Sequence, residues 1–196
     1  MIGFLSVGTG TSRGRTLRIS NLARTGVLVG NVSAAAPFFV TAGAGGFELA
    51  GHQSDTVTVK FQPTVPGRFS GTLMINSNDP VHPSVGVLLT GAGSAGRLAI
   101  PPHLAFPKIA AGTSSARRLS LRNAGLGVLH GNLGAISGPF TMIAGSAAFV
   151  LDHNQSTSVT VQFNPEAPDA YSGALNVTSD DPEHSSVVVS LAGSAR

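Results

Sequence analysis

At 196 residues the chain has the length of one large domain or two small ones, and its 11% of charged residues is well below the roughly 25% of an average soluble domain. The absence of cysteine excludes a disulfide framework and thiolate metal sites. A formal charge of +3 on twelve cations and nine anions falls short of the basic stripe of a nucleic-acid binder, so no nucleic-acid partner is expected.

The start, Met1 to Leu5, has no basic segment followed by an apolar one, so no signal peptide is expected. No apolar run reaches the roughly 18 residues of a membrane-spanning helix, so no membrane insertion is expected either. Past Gly8-Thr9-Gly10, Leu17 and Ile19 point one way while Thr16, Arg18 and Ser20 point the other, the period-two pattern of a half-buried strand. Val57, Val59 and Phe61 alternate with Thr56, Thr58 and Lys60 in the same way. Phe69, Gly71, Leu73 and Ile75 form a third inward row, and Val85, Val87 and Leu89 a fourth. Turn signals separate the rows, among them Val65-Pro66-Gly67 and Asn78-Asp79-Pro80. Gly91 to Gly96 reads as a joint.

After that joint the series begins again. Phe106, Gly112, Thr113, Leu119 and Asn123 repeat Phe4, Gly10, Thr11, Leu17 and Asn21 at an offset of 102. Val159-Thr160-Val161, Phe163-Asn164-Pro165 and Ser179-Asp180-Asp181-Pro182 repeat Val57-Thr58-Val59, Phe61-Gln62-Pro63 and Ser77-Asn78-Asp79-Pro80. One deletion after Asn123 and one insertion before Pro139 keep the register. The expected fold class is all-β, as two tandem immunoglobulin-like β-sandwiches over residues 1–94 and 95–196.

The series Phe-x-x-Val-x-x-Gly-Thr-Ser, Leu-x-Ile-x-Asn, Val-Thr-Val-x-Phe-x-Pro and Gly-x-Leu-x-Ile-x-Ser-Asn-Asp-Pro resembles the ASH (abnormal spindle and hydin) module. The bacterial form found in choice-of-anchor surface proteins is similar. The resemblance implies an immunoglobulin-like scaffold or stalk, in cilia and centrosomes or on microbial surfaces, with no family-wide catalytic residues to transfer.

The two copies differ at one end. Before Phe106 stands Arg97-Leu98-Ala99-Ile100-Pro101-Pro102-His103-Leu104-Ala105, which resembles a first strand with a proline kink. Before Phe4 stands only Met1-Ile2-Gly3, so the first sandwich is expected to lack its initial strand. An incomplete sandwich leaves unpaired backbone groups or exposed core at its edge. The gap belongs to a longer array, is covered by a short loop, or is closed by a neighbouring chain in a head-to-tail homopolymer. For that last case the interface candidates are Ile2, Phe4, Leu5, Ala195 and Arg196.

No set of residues points to catalysis, a metal or a cofactor. His82 and His184 sit in equivalent Asp-Pro-x-His turns without a second histidine at ligand spacing. Asp180, Asp181 and Glu183 carry calcium-type oxygens, but the other copy has Asn78, Asp79 and Val81 there. Gly43-Ala44-Gly45-Gly46 precedes no helix and reads as a turn. Arg18, Arg118 and Arg122 fall on outward positions, either as edge protection or as an anion-binding face. Asn31, Asn154 and Asn176 head N-glycosylation triplets. The charge-poor surface suits cover by covalent glycans or neighbouring subunits.

Together these features predict a non-enzymatic structural protein, the repeating subunit of an extracellular or cell-surface filament or stalk. A cytoplasmic or ciliary interaction scaffold, or a fragment of a longer adhesin-like array, is the alternative.

Overall fold

A computed structural model describes residues 1–43 and 45–196, and among these every regular element is a β-strand. They fall into two compact units, Met1–Ser94 and Ala95–Arg196.

The first unit contains β1 (Ile2–Gly8), β2 (Arg13–Ser20), β3 (Leu28–Ser33), β4 (Phe38–Ala42), β5 (Gly45–Leu49), β6 (Ser54–Phe61), β7 (Gly67–Ser77) and β8 (Ser84–Ser94). They form a five-stranded sheet ordered β1-β8-β7-β3-β5 and a three-stranded sheet ordered β2-β6-β4. The second unit contains β9 (Leu98–Ala99), β10 (His103–Ile109), β11 (Ser115–Asn123), β12 (Leu129–Ile136), β13 (Phe140–Ala144), β14 (Ala148–Leu151), β15 (Ser156–Phe163), β16 (Ala170–Ser179) and β17 (Ser186–Ala195). Its larger sheet, β10-β17-β16-β12-β14, has the order of the first unit's larger sheet. Its smaller sheet, β13-β15-β11-β9, has one strand more.

Each unit is a sandwich because its strands bury one face. In β6 the side chains of Val57, Val59 and Phe61 are buried, and Val159, Val161 and Phe163 do the same in β15. Phenylalanines fill the centre of each core. Phe4, Phe38 and Phe61 lie with ring centroids 4.9–5.7 Å apart, and Phe106, Phe140 and Phe163 with centroids 5.0–5.7 Å apart. Full burial of such a side chain contributes about 1.5–3 kcal/mol.

In β1, Phe4 and Val7 are both buried although an odd spacing puts them on opposite faces of a regular strand. A bulge between Gly3 and Ser6 resolves this, with Leu5 at a φ of 59° absorbing the extra residue.

The expected joint at Gly91–Gly96 is mostly strand. Gly91 to Ser94 belong to β8 and pair with β7 and β1. The glycines serve packing there: a Cβ on Gly91 would stand 2.6 Å from the Phe61 ring, and one on Gly93 would stand 2.4 Å from the Val65 carbonyl oxygen. The inward rows also end earlier in the first unit than alternation predicts. Ile75 and Val87 are half-buried and Val85 is exposed, whereas Val177 and Val189 are fully buried. Of the glycine turn at 43–46, Ala44 lies outside the described residues.

Candidate functional site

The extra strand of the second unit is held by a ring of backbone and side-chain groups. Within β11 the inward positions run Leu119, Leu121, Asn123, so a polar residue continues an apolar row. Asn123 is fully buried, and its whole amide is used. Its Nδ2 donates to the carbonyls of Gly127 (2.7 Å) and Leu151 (2.9 Å). Its Oδ1 accepts from the amides of Gly125 (2.9 Å) and Arg97 (3.0 Å). The amide of Leu98 donates to Asp181 Oδ2 at 2.9 Å, and the Arg97 carbonyl accepts from Ala124 at 2.8 Å. The Ala95 carbonyl accepts from Gly127 at 3.0 Å. Leu98 thereby enters the core beside Leu121 and Leu129, Ile100 packs against it, and Arg97 reaches Glu183 at 3.7 Å.

Burial pushes the Asp181 carboxyl up. Hydrogen bonds from the amides of Leu98, Glu183 and His184 and from the His184 ring outweigh burial and hold it below the ordinary 3.8. A carboxyl with a depressed folded pKa stabilises the fold above the ordinary carboxylate range, and that contribution is lost as pH falls through the folded value. Asp181→Asn is therefore expected to destabilise the second unit by about 2–3 kcal/mol at neutral pH, the worth of charge-assisted bonds to a buried group. The difference should shrink as pH falls below about 4. Tyr171 is the single tyrosine in a chain without tryptophan, so its fluorescence in denaturant titrations reads this unit alone. A difference constant between neutral and acid pH would show that the charge of Asp181 contributes nothing.

The first unit has the same cradle without the strand. Asn21 Nδ2 donates to Gly26 (3.1 Å) and Leu49 (2.9 Å), and its Oδ1 accepts from Ala23 (3.0 Å). The fourth bond, the one Arg97 makes to Asn123, has no counterpart among the described residues. Asp79 takes the place of Asp181. Amide bonds from Val81 and His82 hold its carboxyl below the ordinary range, and among the described residues its Oδ2 has only the His82 ring at 3.9 Å. The amides of Leu22 and Gly26, counterparts of Ala124 and Gly127, make no hydrogen bond among the described residues. The Asp79 side chain is 39% exposed against 2% for Asp181.

The apolar groups behind this edge are uncovered in the same way. Leu17, Ile19, Leu28, Ile75 and Val87 are half-buried, while Leu119, Leu121, Leu129, Val177 and Val189 are buried. A groove of about 350 Å³ runs between Asn21, Leu22, Gly26 and Asp79. A second, of about 280 Å³, lies over Leu17, Ile19, Ile75 and Val87, and both are lined by Leu28 and Asp79. The arrangement offers two amide donors, two oxygen acceptors and an apolar slot, which is what an extended peptide needs.

The residues singled out in the sequence fall elsewhere. Among the interface candidates, Phe4 is at the centre of the core and Ala195 is buried, so neither presents a surface; Ile2 is half-buried, and Leu5 and Arg196 are exposed. Arg118 and Arg122 share the outward face of β11, and Arg18 lies on the outward face of β2 in the other unit. Arg18 donates to Ser54 and Arg122 to Asn154. Asn31 and Asn176 are exposed on β3 and β16, while Asn154, at a φ of 64°, is engaged by Arg122 and His153. The carboxylates of 180–183 are occupied separately: Asp180 by His130 at 2.8 Å, Asp181 by the Leu98 amide, Glu183 by Arg97. Among the described residues, no group of three histidines or carboxylates converges on a metal position. Sequence reading missed Asn123 and Asp181 as anchors; the signal for Asn123 was a polar residue at an inward position.

Residues 1–85 match the family model described as abnormal spindle-like microcephaly-associated, ASPM-SPD-2-Hydin (ASH). No curated protein matches the chain. Among solved structures, it is similar to a protein of unknown function from Porphyromonas gingivalis W83 (14% identity, 95% of this chain and 93% of that one, TM-score 0.42). It is also similar to the ASH/PapD-like domain 7 of human CEP192 (17% identity, 50% and 84%, TM-score 0.43). A third likeness is to the CsuC-CsuE chaperone-tip adhesion subunit complex of Acinetobacter baumannii (9% identity, 96% and 94%, TM-score 0.36).

Proposed function

We propose that this chain is a non-enzymatic structural protein, a building unit of an extracellular filament or surface stalk. Each sandwich supplies stiffness, and the first unit supplies the joint to its neighbour. The observation that carries the reading is the open strand position at β2, where polar and apolar groups stand ready for a chain segment. Strand addition at a sheet edge is a common way to build assemblies, because backbone hydrogen bonds give affinity and side-chain pockets give specificity. Exposed Asn31 and Asn176, on a surface poor in charge, are suited to carry glycan. The ASH match over residues 1–85 supports a second reading, an interaction scaffold inside a cell. Electron microscopy of the native material tests the choice. Filaments or stalks with an axial repeat set by this chain are expected; dispersed particles at all concentrations would reject the structural subunit.

A further inference from the structure

We infer that the groove beside β2 is the acceptor site for one extended polypeptide strand with leucine two residues ahead of isoleucine, delivered from outside these 196 residues. The inference rests on the reading of the chain as an assembly module and names what the joint receives. Its basis is internal. In the second unit the segment Ala95 to Ile100 occupies the corresponding position and uses every group that the first unit leaves open. By that register the occupant runs antiparallel to β2, pairing with Ser20 and Asn21 as Ala99 and Leu98 pair with Arg122 and Asn123. The amide of the residue ahead of its leucine donates to Asn21 Oδ1, and the amide of its leucine to Asp79 Oδ2. The carbonyl of the residue ahead of the leucine accepts from Leu22, and the carbonyl two residues before that one accepts from Gly26. The leucine fills the slot over Ile19 and Leu28.

Among its described residues a second copy has no such strand to spare: its Leu98 is 6% exposed with its amide bonded, and β17, which ends at Ala195, is paired on both sides by β10 and β16. The rim of the first position differs from that of the second unit at two residues. Glu183, which holds Arg97, is replaced by Val81, and Ala124 by Leu22, exposed at 74% and 85%. The rim has turned apolar, so the residue ahead of the leucine is apolar rather than basic.

The test is a titration of the labelled full chain with a synthetic Ala-Gly-Val-Leu-Ala-Ile-Pro-Pro peptide at millimolar concentration, followed by amide NMR. Shifts confined to the edge from Ile19 to Leu28, the Asn21 side chain and Asp79 are expected. Replacing the peptide leucine by aspartate should abolish them, and an arginine in place of the valine should bring no gain. Asp79→Ala, a change at a half-exposed rim position, should weaken binding by roughly tenfold, the worth of one hydrogen bond to a charged group. Absence of shifts, or shifts centred elsewhere, would overturn the inference. So would concentration-dependent changes at Leu22 and Gly26 without peptide, which would make a second copy the occupant. Peptide binding by material that forms no filaments would uphold the acceptor site and sink the stalk; filaments without peptide binding would do the reverse.

Discussion

Asn123→Ala is expected to lower the stability of the second unit by about 3–4 kcal/mol, because it leaves several buried partners unpaired at roughly 1–3 kcal/mol each before relaxation. The side chain ties four backbone groups together: the carbonyls of Gly127 and Leu151 and the amides of Gly125 and Arg97. Alanine removes both donors and both acceptor positions in a place that water reaches poorly, since Asn123 is fully buried. The equivalent Asn21→Ala breaks three bonds beside an open groove, where water replaces part of what is lost. A smaller loss of about 1–2 kcal/mol follows for the first unit, typical of hydrogen bonds whose partners can rehydrate. Denaturant midpoints from Tyr171 fluorescence measure the former, and amide exchange in β6 the latter. Equal losses at the two positions would show that the groove is not open to solvent.

Phe163→Ala is expected to cost the second unit about 3–5 kcal/mol, the range for deleting a buried aromatic ring. Phe163 is fully buried, and its ring centroid lies 5.0 Å from Phe140 and 5.7 Å from both Phe106 and Tyr171. The ring also lies close against Gly193, where a Cβ would come within 2.7 Å of it. Gly193→Ala alone should therefore destabilise by overpacking, about 1–3 kcal/mol. In the Phe163→Ala background the same change should be harmless or favourable, because the added methyl enters the space the ring has left. The coupling between neighbours of this kind runs to about 0.5–3 kcal/mol in a double-mutant cycle. Strictly additive effects, read from Tyr171 midpoints, would mean that Gly193 is not the seat of the ring.

Much of the fold was legible because a half-buried strand writes its inward face at every second residue. Val57, Val59 and Phe61 are buried as that pattern demands, and so are Leu73 and Leu89. Alternation tells which face is inward, but not whether another element covers it. Leu17 and Ile19 carry the same pattern as Leu119 and Leu121, yet only the latter are fully buried. The contrast depends on a two-residue strand too short to show periodicity. Glycine misled in a different way. Gly91 and Gly93 look like linker residues, but they are the backbone surface on which Phe61 and the Val65 segment pack. Turn chemistry had marked Asp79 and Asp181 alike. It takes the three-dimensional register, which brings Leu98 to Asp181 across 83 residues of chain, to separate their roles.

Amide hydrogen exchange across the full chain tests most directly the claim that one strand position is filled and its counterpart open. Ala124 and Gly127 are bonded to the Ala95–Arg97 segment, whereas Leu22 and Gly26 are free among the described residues. Slow exchange for the first pair and exchange near the unprotected rate for the second is the predicted result. Equal protection of the two pairs would contradict it and mean that the first unit closes its own edge.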